Sequence, residues 1–317
     1  MTAQDKDFGR GFGRPVRRVE DSRLVRGAGR FSDTVDLPGQ AWAVIVRSPH
    51  AHARIRAIDT APALSVPSVI AVLTGADYLA DGLLPIPNNP VPPDLPLENR
   101  DGSPVVVPPD YPLAGDKVRH AGEGIALVIA ETRAAAYDAA ERVAVDYDIL
   151  PAVVGIDDAL NGNGAPVWDD APRNVCVDAD RGDPDATDAA IRGAAHVTRL
   201  VLHNNRVSGV PMEPAAAVAA HDAETGVTTL HAPGQGVLIQ KKALCGIFGV
   251  EDDAVRVVCG DVGGGFGTRN LLYREHVLVC WATRRIGRPV KWRAERSESF
   301  LSDPYGRDIT TTAELAL

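Results

Sequence analysis

The stretch from Gly124 to Pro151, GIALVIAETRAAAYDAAERVAVDYDILP, decides the fold class. Ile125–Ala130 is an unbroken aliphatic run, the pattern of a strand buried on both faces. Thr132 follows, and its hydroxyl can accept a helix N–H, which predicts a helix running to about Val143. Ala135, Ala136, Ala139, Ala140 and Val143 recur at helical spacing, while Asp138 and Arg142 pair at i,i+4 on the outer face. Val143–Ile149 then reads as a second strand, stopped by Pro151. Strand, helix and strand around one apolar layer predict a mixed α/β unit.

Working outward toward the N-terminus, Gly39–Ser48 and Val69–Leu73 read as further strands. Between them and the deciding stretch, Leu83–Leu113 holds ten of the 24 prolines, including Pro90-Val91-Pro92-Pro93. That density excludes helix interior and central strand, so a long loop is expected. These elements define a first domain over residues 26–155, preceded by an Arg-rich arm at 1–25. Toward the C-terminus, Asp157–Asp185 is rich in Asp, Asn, Gly and Pro, and residues 156–190 read as a linker. A second domain at 191–317 follows. Its expected strands are Ala195–His203, Ala215–Ala220, Gly226–Ala232, Ala254–Cys259, Pro289–Arg293 and Ile309–Leu317. Its expected helices run from about Val237 to Phe248 and from about Leu272 to Arg285.

At 317 residues the chain is long enough for two such units, and 45% hydrophobic with 24% charged residues is the composition of a folded protein. A net charge of -9 disfavours nucleic acid as a partner. Arg10, Arg14, Arg17, Arg18, Arg23, Arg26 and Arg30 run against that balance, but no aromatics are interleaved for base stacking. The arm is therefore expected to be solvated or docked on an acidic partner subunit. No run approaches the ~20 apolar residues of a membrane span, and no secretory leader is evident. Cys176, Cys245, Cys259 and Cys280 share no C-x-x-C spacing, so neither an iron–sulfur nor a zinc site is drawn from them. A cytoplasmic location is expected.

The expected strand at Ala254–Cys259 leads into Asp261-Val262-Gly263-Gly264-Gly265-Phe266-Gly267. Consecutive glycines let the backbone take positive φ and bring N–H groups close to a ligand, which suits an anionic group. Structural tight turns share the pattern. There is no Gly-Lys-Ser/Thr ending, which excludes a P-loop, and no carboxylate about twenty positions on, as a dinucleotide fold needs. Phe266 within the run can wall a planar ligand.

The ordered segments of this chain resemble the molybdopterin-binding large subunits of the molybdenum hydroxylases, the family of xanthine dehydrogenase, aldehyde oxidase and aerobic carbon monoxide dehydrogenase. Arg26–Phe31, Arg47–Ala53, Arg119–Glu123, Val145–Tyr147 and Leu150–Val153 are similar to its a/b hammerhead domain. Pro211–Pro214, Gly263–Gly267 and Gly287–Lys291 are similar to its first molybdopterin-binding segment. The resemblance implies an α+β fold, a hammerhead domain followed by the first part of the molybdopterin-binding domain. It implies that Gln235 hydrogen-bonds an oxygen on molybdenum, and that Gly265, Phe266 and Gly267 hold the cofactor near its metal end. The cofactor implied is molybdenum-molybdopterin, in some members as the cytosine dinucleotide. Iron–sulfur clusters and FAD are implied on a small and a medium partner subunit.

The family's activity is hydroxylation of an aldehyde or N-heterocycle with water-derived oxygen, or oxidation of carbon monoxide. Its general-base glutamate lies late in much longer chains, so no catalytic residue is assigned here. The chain is expected to be inactive alone and completed by a second polypeptide; the alternatives are a truncated fragment or a scaffold protein that retains the hammerhead fold. Three departures stand out: Gly234 before the glutamine, Thr268-Arg269 after the glycine loop, and Ala215 after Pro214. His50 and His52 sit two apart with no third ligand apparent, which favours a structural role. Glu213, between prolines, is either a pocket carboxylate or an anchor at a turn, and Lys241-Lys242 reads as a solvated helix face.

Overall fold

A computed structural model of the chain describes residues 16–88, 97–162, 164–171 and 173–317. Arg10, Arg14 and the run Pro90-Val91-Pro92-Pro93 lie outside the described residues. The first half contains α1 (Asp21–Leu24), β1 (Ala41–Arg47), β2 (Ala53–Asp59), α2 (Ala61–Leu64), β3 (Val69–Thr74), α3 (Gly75–Ala80), β4 (Lys117–Val118), β5 (Gly124–Ala130), α4 (Arg133–Ala140) and β6 (Ala144–Ile149). The deciding stretch folds as strand, helix and strand, but α4 stops at Ala140, short of Val143, so Arg142 lies beyond the helix and, among the described residues, forms no ion pair with Asp138. β5 is buried along its whole length, and the Thr132 hydroxyl accepts from the Ala135 N–H at 3.2 Å to cap α4. Burying the Ile125, Leu127 and Ile129 side chains on such a strand stabilises the fold by about 1.5–3 kcal/mol each.

The expected linker is not wholly irregular. It contains α5 (Ile156–Leu160) and the start of α6 (Pro184–Gly193). Asp183 caps α6 through the Ala186 N–H at 2.9 Å, and Pro184 stands at the first helical position, where its missing N–H costs nothing. Then come β7 (Val197–Asn204), β8 (Ala216–His221), β9 (Thr228–His231), α7 (Val237–Phe248), β10 (Val255–Val258), α8 (Arg274–Ile286), β11 (Val290–Arg293), α9 (Arg296–Ser302) and β12 (Ile309–Ala316).

Strand pairing crosses the expected division near residue 155. One seven-stranded sheet has the order β10-β9-β8-β11-β1-β5-β3. β1 lies parallel to β11, with Ala41 opposite Val290 and Ala43 opposite Trp292, and antiparallel to β5. Helix α8 is buried from Glu275 to Thr283, and its Val277–Ala282 segment shares one core with Ala217, Ala219 and Leu230 of the sheet. Trp281 joins that core to the first half, packing edge-on against Tyr78 at 5.2 Å and donating its indole N–H to Asp81 at 2.7 Å. A smaller sheet, β4-β2-β6, packs Ala53, Val118 and Ile125. β7 and β12 form a separate antiparallel ribbon that is exposed along nearly its whole length. Among the described residues no helix is long and apolar enough to cross a membrane.

Candidate functional site

β9 ends at His231, and the chain passes Pro233-Gly234-Gln235-Gly236 before α7 begins. β10 runs parallel beside β9, so its exit loop emerges on the same edge. This pairing brings Gln235 and the glycine loop together across 32 positions of sequence. The Gln235 backbone N–H donates to the Arg269 carbonyl at 2.9 Å. Its side-chain oxygen accepts the Gly267 N–H at 2.8 Å. A backbone N–H can be met only by the carboxamide oxygen, so the NH₂ end is set facing outward. Among the described residues nothing accepts from it.

Gly265 is required by that contact. A Cβ placed there would stand 2.5 Å from the Gln235 carboxamide carbon. Gly264, Phe266 and Gly267 follow one another with φ of 112°, 52° and 85°. Phe266 is a non-glycine residue in the left-handed region, a conformation held only where its surroundings enforce it. The residue is 71% exposed rather than used as core. The loop closes through a single turn, Thr268–Asn270, with the Thr268 N–H and hydroxyl both donating to the Gly265 carbonyl at 3.0 and 2.8 Å. α8 begins only at Arg274, two residues after the expected start near Leu272, so the loop does not sit on the N-terminus of that helix.

Beneath the loop lies a buried ion pair. Glu213 and Arg269 bond through Oε2 and Nη1, with side chains 3% and 2% exposed. Arg269 also donates to the Glu213 carbonyl at 2.6 Å, and Glu213 accepts the Gly263 N–H at 2.8 Å and the Ser32 N–H at 3.2 Å. The guanidinium is therefore consumed internally and offers no charge to a bound anion. What the loop presents outward is neutral: backbone N–H groups, an aromatic face and one carboxamide. Glu213 is an anchor and not a pocket carboxylate. No sequence signal marked its partner, because the two residues are 56 positions apart.

Other candidates resolve locally. His52 bonds the Pro151 carbonyl at 2.8 Å, and His50 packs edge-on against Tyr147 at 4.9 Å. No group of three metal-ligating side chains occurs among the described residues. In the described part of the arm, Arg23 pairs with Asp261. A separate cleft of about 1140 Å³ is lined by Leu271–Glu275, Leu301–Tyr305, Lys242 and Arg119, among others, but by none of Gln235 or Gly265–Gly267. Asp303 lines it with one carboxyl oxygen buried and unpartnered, and burial, with Glu275 nearby, pushes its pKa up to about 6.

Comparison with known proteins places this geometry in a lineage. Residues 26–151 match the aldehyde oxidase and xanthine dehydrogenase a/b hammerhead domain, and residues 167–317 match the molybdopterin cofactor-binding domain. The chain is 33% identical to the carbon monoxide dehydrogenase large chain of Afipia carboxidovorans, over 96% of this chain and 37% of that one. It is 32% identical to the nicotine 6-hydroxylase large subunit of Paenarthrobacter nicotinovorans, over 96% and 36%. Among solved structures it superposes on carbon monoxide dehydrogenase from Oligotropha carboxidovorans with a TM-score of 0.83 at 32% identity, covering 96% of this chain and 37% of that one. Quinoline 2-oxidoreductase from Pseudomonas putida 86 gives 0.80 at 32%, covering 95% and 37%. The chain thus spans little more than a third of the relatives it matches.

Proposed function

We infer, because this chain belongs to the molybdenum hydroxylase family of xanthine dehydrogenase, aldehyde oxidase and aerobic carbon monoxide dehydrogenase, that it supplies one wall of a molybdenum-cofactor site in an oxidoreductase. The observation that carries this reading is the Gly267-to-Gln235 hydrogen bond, which joins the glycine loop to an exposed carboxamide beside it. The donor set fits such a group. Gln235 offers a neutral N–H to an oxygen at the metal end without adding charge. Gly265, Phe266 and Gly267 offer backbone and an aromatic face, and the Gly265 position has no room for a Cβ.

When bound, the cofactor supplies two-electron oxidation with water as the source of oxygen. Gln235 orients it, the loop backbone seats it, and the Phe266 ring screens it from bulk water. The substrate class is an aldehyde, an N-heterocycle or carbon monoxide. The general base and the remaining cofactor contacts belong to polypeptide outside the third of the relatives that this chain spans, in a further segment or a second chain. Electrons leave through iron–sulfur clusters and FAD on small and medium partner subunits, in a cytoplasmic assembly. The pterin is carried as its cytosine dinucleotide.

The test is molybdenum and pterin content of the chain, purified alone and after co-expression with its genomic neighbours. Metal and pterin are expected in the complex. Their absence from both preparations would sink the reading. In an active complex, Gln235→Ala should lower turnover roughly 10- to 100-fold with the fold intact, since the side chain is exposed and outside the core. Unchanged kinetics would count against the role given to Gln235.

A further inference from the structure

The loop from Gly260 to Asn270 is held at its two ends by carboxylates, and both carboxylates reach the same N-terminal segment. At the entry, Asp261 takes the Arg23 guanidinium through both oxygens, with Nη2 to Oδ1 at 2.7 Å. Its Oδ2 also accepts the Arg30 N–H at 2.6 Å, while the Asp261 N–H returns a bond to the Arg30 carbonyl at 2.9 Å. The approach is backbone to backbone, since a Cβ at Gly260 would run into the Arg30 carbonyl oxygen. At the exit, Glu213 holds Arg269 and Gly263 and accepts from Ser32. Between these two clamps, among the described residues, the hydrogen bond that ties Gly264–Gly267 to a distant part of the chain is the one to Gln235.

We propose that Arg23, Glu213 and Asp261 are positioning residues for the glycine loop, making the segment 21–32 a working part of the cofactor wall and not a free arm. The proposal rests on the cofactor reading of that loop. Arg23 is 37% exposed and belongs to no core cluster, so its pairing is not needed to close the main sheet. What it does fix is the direction in which the backbone enters Gly263, and through it the left-handed turn at Phe266. The carboxyl of Asp261 is held far below the usual carboxylate range by the Arg23 hydrogen bond and the Arg30 N–H, so the clasp stays charged across the physiological range.

Asp261→Asn and Arg23→Gln would be made in the full chain, with Arg23→Lys as the conservative rescue. Amide hydrogen exchange is followed in peptides covering 260–270 and, as a reference, in β5. Exchange in 260–270 should quicken roughly ten-fold with β5 unchanged, and Arg23→Lys should recover part of the loss. Equal quickening throughout the chain, or none in 260–270, overturns the proposal. Molybdenum and pterin content is measured on the same variants in the co-expressed complex, where it should fall with the loss of loop protection. A loosened loop that retains full cofactor content also overturns it. Wild-type complex without cofactor would instead overturn the functional reading, leaving the exchange result to report on the clasp alone.

Discussion

Glu213 and Arg269 show what a single buried charge does in this fold. Each side chain is nearly inaccessible, and each satisfies the other, Glu213 together with two backbone N–H groups and Arg269 together with one backbone carbonyl. Removing one partner leaves the other desolvated and uncompensated. Glu213→Gln should therefore destabilise the chain by about 3–5 kcal/mol, measured as a lower urea midpoint. Asp303 behaves oppositely. Its carboxyl is raised to about 6 by burial against an ordinary unfolded value of about 3.9, so the folded state holds the proton more tightly. Its contribution is fully present below pH ~4 and is lost as pH rises through ~6. Asp303→Asn should thus be neutral near pH 4 and stabilising above pH 7, with a ceiling of about 3 kcal/mol. A melting-temperature profile across that window checks the sign; a gap that widens toward low pH would refute it.

At the scale of elements, glycines separate into those that shape a site and those that do not. A Cβ at Gly263 would stand 2.5 Å from the Cβ of Glu213, with backbone behind it. Gly263→Ala should cost about 1–3 kcal/mol and loosen the loop. Gly246, inside α7, faces open space, and Gly246→Ala should stabilise by about 0.5–1 kcal/mol. Thermal melts of the pair give the contrast directly. α7 itself was legible from Val237, Leu238, Leu244 and Ile247, and Gly249 at φ 61° ends it where the pattern stops. β2 was not legible, because Arg54, Arg56 and Asp59 break up its apolar residues on a half-solvated sheet. The proximity of Gln235 to the glycine loop came only from the family resemblance. Its physical cause is the parallel β9–β10 pair, which periodicity cannot report.

For the whole molecule, the mixed α/β class and the order of elements could be read from local pattern, but the sheet order could not. Parallel pairing of β1 with β11 depends on the entire layout of the sheet, and nothing in Ala41–Arg47 names its partner. The partner of Arg23 could not be read for the same reason: Asp261 is 238 positions away, and from sequence the arm reads only as solvated or docked on an acidic partner subunit. A chain cut to residues 16–155 would keep β1 with its β11-facing edge bare. Such a fragment should self-associate more strongly than the full chain, as light scattering at matched concentration would reveal. A monodisperse monomer would show that the first half closes its own sheet.

That pairing also sets a schedule for synthesis. Ala41 meets Val290 only after 249 further residues have been made, which at about 5–20 residues per second is a wait of about 12–50 s. Throughout that interval β1 and β5 stand beside the ribosome with one edge of the growing sheet open. The nascent chain is therefore a client for chaperones until β11 emerges, and a stalled translation product ending before residue 290 should be held by them, while one extended well past residue 293 should be released.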